Sequence, residues 1–488
     1  MRNPFRRLAY GIAIPLLVST TLMLLTTSSA GAAGFAFSTF ELSSTPGVVC
    51  PQKTGKSCTN TAAEPAIRAD LSGNFYASSE NGLGAGTDAW RGSTDGLHYT
   101  ALQSPNAASN NNHSGFSPGG GDTDLAVAPK KNAKGNYNVY VASLTLANVD
   151  VSTSVDKGQT WSLNPTSATI PGDDREWIAA DMASKVCISY HDVATFNIDV
   201  NCSFDAGTTF TQLGIAFDTN HAWLAQNNST GNLVIDPATH IIYQTFSGIA
   251  NANEVACSSQ GTCGYHVVWV AVSKDGGKTF TDNMVYNNPN TTVSYGHQFV
   301  NLSIDKAGNL YSVYSDNHNI YYSYSTDHGS TWSAPVQVNS GLSATAIFPW
   351  SVANNAGHLD IVWYGTSYYD GVNPPDSYPM SAAWYVYFAQ NLSATTPGSG
   401  FTQVQATPIN HYGGVCEGGI SCTGSRDLYD DFGVAVNPKS GFASIVYSDD
   451  QYINDQKDPP SSGCTMSTSN TGSCDHTSIA TQTSGSGI

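Results

Sequence analysis

The chain has 488 residues, long enough for several domains or for one large repeat fold with a continuous core. Its 19 basic residues face 37 acidic ones, a formal net charge of −18, which weighs against nucleic acid or an anionic membrane surface as partner. Glycine is abundant and helical periodicity is nearly absent, so helix bundles are excluded and an all-β chain is expected.

Residues Met1 to Ala32 read as an export signal. Arg2, Arg6 and Arg7 form a charged start, Leu8 to Leu25 an apolar run, and Ala30-Gly31-Ala32 a small-residue cleavage site. A retained anchor is the competing reading, disfavoured by Gly11, Pro15 and the Ala-x-Ala ending. Residues 33–488 are then expected to form a single secreted domain, free of the membrane once the signal is removed. All ten cysteines lie beyond the signal and fall into sequence neighbours: Cys50 with Cys58, Cys187 with Cys202, Cys257 with Cys263, Cys416 with Cys422, and Cys464 with Cys474. Local disulfides are expected, because an exported chain with paired cysteines favours them over zinc and no Cys-x-x-Cys spacing occurs.

The strands recur. The first unit reads Ala66 to Asp70 as inner strand, then Asn74 to Ser78, Asp88 to Gly92, a turn, and Tyr99 to Leu102. Inner strands begin again at Asp124, Trp177, Asn232, Asn301, Trp350 and Gly433, making seven four-stranded units. The expected fold is a seven-bladed β-propeller, six blades remaining open if one unit is an insertion. The last unit lacks a fourth strand of its own, whereas Phe35 to Phe40 alternates as a strand should. That segment is expected to close the ring beside Thr477 to Thr481, removing an exposed edge. Stretches near 103–121, 369–380 and 451–475, rich in Asn, Ser, Gly and Pro, are expected to be loop insertions.

One turn pattern, S-x-D-x-G-x-T-(W/F), punctuates the units. It occurs at Ser325 to Trp332, Ser154 to Trp161, Ser203 to Phe210 and Ser273 to Phe280, with a worn copy at Ser93 to Tyr99. Asp accepts backbone hydrogen bonds, Gly supplies a positive φ and the aromatic packs beneath. These residues resemble the Asp-box, or BNR repeat, of the sialidase superfamily of β-propellers. The resemblance implies a secreted, glycan-acting protein.

Function in a propeller gathers where the inner strands begin. Here those positions hold Glu64, then Asp122 and Asp124, then Asp173, Asp174, Arg175 and Glu176. Further round come His297 and Gln298, Trp350 with Phe348 ahead of it, and Tyr429, Asp430 and Asp431. Turns after second strands add His191, Asp192 and Tyr364. Glycoside hydrolysis needs a proton donor and a base or nucleophile across a pocket. Asp174 and Glu176 suit one role, Asp192 or Asp430 the other, and Tyr364 or Tyr429 a hydroxyl nucleophile. Arg175, Arg426, Glu64, His191, His297, Trp350 and Tyr429 are candidate substrate contacts.

The sialidase resemblance implies three arginines on the substrate carboxylate, the first in an Arg-Ile-Pro sequence. The matching stretch is Ala63-Glu64-Pro65-Ala66-Ile67, which keeps the proline and lacks the arginine. Of Arg68, Arg91, Arg175 and Arg426, the first two read as structural, so no triad can be assembled and sialic acid is a poor substrate. The expectation is a glycoside hydrolase acting on an extracellular neutral or cationic glycan as a monomer. The rival is a non-catalytic glycan- or protein-binding propeller. No cofactor is required for either, with calcium at Asp122 and Asp124 the one metal considered.

Overall fold

The computed structural model describes residues 34–52, 58–111, 118–422, 425–430, 432–451 and 474–488. Seven antiparallel sheets follow one another round a ring, six built on four consecutive strands and the seventh on three joined by a strand from the other end of the chain. The inner strands are Ala63–Ala69, Thr123–Lys131, Asp173–Asp181, Asn228–Ile235, Asn301–Ile304, Thr345–Ala353 and Gly433–Val436. Each contains or abuts the start expected from sequence, so the fold is a seven-bladed propeller. The only α-helix among the described residues is Val255–Ser259. No described helix is long and apolar enough to cross a membrane.

The seventh blade takes its outer strand from the other end of the chain. Ala36–Glu41 pairs antiparallel with His476–Ser484, Phe40 lying opposite Ile479. Its inner face carries Phe40 into a core of Phe75, Trp90, Tyr99 and Ile479, so closure buries apolar surface as well as an edge.

Four turns between third and fourth strands share one hydrogen-bond set. In the fifth blade Ser325 Oγ donates to Asp327 and accepts from Gly329 N–H, while Thr331 gives its N–H and hydroxyl to the two oxygens of Asp327. The same bonds recur at Asp156, Asp205 and Asp275. The hydroxyl and N–H of Thr331 hold the Asp327 carboxyl down to about 2.

Neighbouring blades are riveted at the inner strands. Asn232 Oδ1 accepts from Leu302 N–H of the next blade, Asn301 Oδ1 from Ser351 N–H, and Asp124 Oδ2 from Ile178 N–H. This explains why the inner-strand sequences DLAVAP, NLVID and NLSID open on Asp or Asn. Four disulfides join pairs of described residues, Cys50–Cys58, Cys187–Cys202, Cys257–Cys263 and Cys416–Cys422. Cys474 is disulfide-bonded as well. Its expected partner Cys464, the export signal, Asp431 and most of the 451–475 insertion lie outside the described residues.

Candidate functional site

Besides Asn228–Ile235, whose register slips between Thr230 and Leu233, three inner strands start with a bulge that puts a non-glycine residue in a left-handed conformation. The register slips between Ala63 and Ala66, between Asp174 and Glu176, and between Ile347 and Trp350. Each slip carries one residue in the left-handed region, Glu64 (φ 57°), Arg175 (φ 54°) and Phe348 (φ 50°). Tyr429, four residues ahead of the seventh inner strand, is the fourth such residue (φ 57°). A non-glycine residue there costs on the order of 1–2 kcal/mol, so these four are held by their surroundings. Glu64 N–H is held by Ser448 Oγ, and Ser448 N–H by the Tyr364 hydroxyl; Phe348 N–H is held by Gln298.

The bulges bring charge together at one end of the channel. Arg175 Nη2 lies 3.1 Å from Glu64 Oε1 and Nη1 3.3 Å from Asp122 Oδ2, its guanidinium 4.0 Å from the Phe299 ring centre. Carboxylate oxygens of Glu64, Glu80 and Asp122 all lie within 4.8 Å of one another. Arg426 donates to Asp430 at 3.0 Å and stands over the Tyr429 ring. Carboxylates therefore outnumber the two cations.

The electrostatics follow from that imbalance. Glu64 is 0% exposed and Glu176 1%; Glu64 is met by the Arg175 guanidinium and by Glu80, whereas the two oxygens of Glu176 lack a hydrogen-bond donor. Burial, then the Asp122 charge, pushes both well above the usual carboxylate range despite Arg175. Glu80 is pushed up to about 8 by burial and Asp122. Asp174 is exposed at the rim, where desolvation and Asp122 raise it. Beside it His191 is lowered by burial. Asp122 is thus the common neighbour of carboxyls whose proton affinity is raised, an arrangement that acid/base chemistry uses.

Of the residues expected from sequence, Glu64, Asp122, Arg175, Glu176, Arg426, Tyr429 and Asp430 converge here, with Asp174 and His191 on the rim. Others stand apart. Asp192 spends both oxygens on the turn that follows it, accepting from Ala194 N–H, Thr195 N–H and the Thr195 hydroxyl. Tyr364 is fully buried against Phe348 and Phe432, its hydroxyl accepting from Ser448 N–H. Trp350 lies deeper in the channel, under the Arg68 guanidinium and 5.4 Å from Trp177. With Arg68 it lines a separate cavity of about 310 Å³ in the far half of the channel. His297 sits at another rim pocket, with Cys263 and Tyr265.

Asp124 does not suit calcium. One oxygen meets Arg68 at 2.9 Å and Leu125 N–H, and the other meets Ile178 N–H. With Asp122 paired to Arg175, the two residues do not form an open oxygen cage.

Two contributors went unnoticed in the sequence. Glu80 ends the second strand of the first blade, the position Asp192 holds in the third, and reading that strand to its end would have found it. Glu417 sits in the Cys416–Cys422 loop, takes a hydrogen bond from Gln298 and is pushed up to about 8 by burial. Only the fold brings it near Asp430.

No protein-family model matches the chain. No curated protein matches it. Among solved structures it is similar to a xyloglucanase from Xanthomonas campestris, with 13% identity over 87% of this chain and 54% of that one, TM-score 0.48. It is similar to an α-L-arabinofuranosidase from Fusarium graminearum, with 10% identity over 87% and 93% of the two chains, TM-score 0.41. A leech intramolecular trans-sialidase shares 11% identity over 81% and 67%, TM-score 0.38. None of these likenesses is close enough to carry a residue or an activity across.

Proposed function

We propose that the protein is a secreted glycoside hydrolase acting on an extracellular glycan, with Glu176 as proton donor and Asp122 as its counterpart carboxyl. The observation that carries this reading is Glu176 itself, a buried carboxyl without a hydrogen-bond donor beside Asp122. A structural carboxyl so placed costs several kcal/mol of desolvation and returns nothing to the fold, whereas a neutral acid near neutrality is what proton donation uses. Asp174 and Asp430 flank the pair, and Arg175 and Arg426 orient bound hydroxyls. Substrates are neutral or cationic glycans, because an acidic mouth with two arginines repels sialic acid. Monomeric export, with removal of residues 1–32, completes the proposal.

The test is release of reducing sugar from neutral, amino-sugar, uronic-acid and sialylated glycans by the mature protein. Glu176→Gln and Asp122→Asn should each lower turnover at least about 10²-fold while circular dichroism is unchanged. Wild-type rates in both variants would remove the assignment. Saturable glycan binding without product would instead support a recognition propeller, a reading favoured by the Arg175 ion pairs that lock part of the mouth.

A further inference from the structure

Beneath the mouth, behind Tyr429, lies a second group of ionisable side chains that the proposed chemistry does not use. His411 is 0% exposed, Asp427 and Asp450 2% each, and Asp475 4%. They come from four separate segments: the short strand His411–Tyr412, the turn before Tyr429, the end of the second strand of the seventh blade, and the residue leading into His476–Ser484. Donor atoms of His411, Asp427 and Asp450 all lie within 4.8 Å of one another, and Asp475 faces Asp427 and Asp450.

The imidazole is oriented from outside the group. Its Nε2 donates to the Gly414 carbonyl at 2.9 Å, which leaves Nδ1 aimed at the carboxylates, 2.7 Å from Asp450 Oδ2. A ring nitrogen fixed on a backbone carbonyl while its partner points at acidic oxygens is how proteins set a metal-binding histidine. Asp475 is the independent sign. Neither of its oxygens meets hydrogen-bond geometry with a donor, although the Tyr429 hydroxyl stands beside it. Neither Asp450 nor Asp475 forms an ion pair with a lysine or arginine among the described residues. Asp450 and Asp475, two buried carboxylates against one imidazole, leave an uncompensated negative charge, which a protein interior does not hold without a cation or protons.

We propose that His411, Asp427, Asp450 and Asp475 bind one divalent transition-metal cation. One imidazole nitrogen with carboxylate oxygens suits Zn²⁺ or Mn²⁺, whereas calcium prefers an all-oxygen shell. The cation would tie the turn that carries Arg426, Tyr429 and Asp430 to two blade strands, fixing the floor of the mouth.

The experiment is metal analysis of the purified mature protein, stripped with a chelator and dialysed separately against Zn²⁺, Mn²⁺ and Ca²⁺. Wild type should retain one equivalent of Zn²⁺ or Mn²⁺ and lose melting temperature when stripped. Asp475→Asn, close in shape, should weaken retention at least about 10-fold with an unchanged circular-dichroism spectrum. His411→Ala should abolish retention, and if it fails to fold the Asp475→Asn result stands alone. Glu80→Gln, in the mouth cluster, should bind as wild type. No bound equivalent of any of the three metals, equal retention by Asp475→Asn, or loss confined to Glu80→Gln would overturn the proposal. The outcome is independent of glycan turnover, so this proposal and the hydrolase reading can fail separately.

Discussion

Ionisable residues show most plainly what this chain asks of its environment. In the third blade Asp173 is half-buried and pushed up to about 8 by desolvation and then by Asp192 and Asp199. Asp199 itself is pushed up to about 7 by desolvation and Asp192. Unfolded, an aspartate ionises near 3.8. Folding therefore takes up protons between those values, and the stability these two residues contribute is full below about 3.8 and lost as pH rises toward 7 to 8. Melting temperature should fall between pH 5 and pH 8.5, as read by circular dichroism, and Asp173→Asn should flatten the slope. A melting temperature that climbs with pH would show that these carboxyls are ionised in the folded protein. Sequence reading reached Asp173 and the mouth acids because inner-strand starts can be counted along the chain. It misses Glu80 for a different reason: the second strand of the first blade is read from Asn74 to Ser78, two residues short of its end at Glu80.

Strands and turns were legible to different degrees. Hairpin turns announce themselves, because Ser, Asp, Gly and Thr are each required by a bond made within eight residues. The bulges at Glu64, Arg175 and Phe348 do not, since their left-handed backbone is imposed by neighbouring blades on residues that would otherwise avoid it. The rivets between inner strands lie between these cases, visible as a recurrent Asp or Asn whose reason needs the ring. Asn301 tests their weight. It is fully buried, and its Oδ1 serves both Ser351 N–H and the Ser351 hydroxyl. Asn301→Ala should cost about 1–3 kcal/mol by leaving buried donors unanswered, seen as a lower denaturation midpoint at unchanged m-value. A loss below about 0.5 kcal/mol would mean that water takes over the role.

At the scale of the ring, the blade count and the closing strand followed from repeat arithmetic, because each unit needs four strands and the last had only three. What arithmetic could not supply was the meeting of residues distant along the chain, such as Arg175 with Glu64 or Asp475 with Asp427. Removing residues 36–41 should expose the whole edge of His476–Ser484 and strip cover from Phe75 and Ile479. The truncated protein should melt several degrees lower and aggregate at concentrations where the full chain stays clear by light scattering. Equal melting and solubility would show that the seventh blade is complete with three strands.

The same closure has a consequence in time. The strand made first can be paired only by one of the strands made last, so during synthesis Ala36–Glu41 has no native partner while almost the whole chain emerges. Six blades can assemble in order as they appear, but the final joint waits for a contact of very long sequence separation, the slowest kind to form. A cell making this protein must therefore keep an open ring from finding a neighbour's edge before its own.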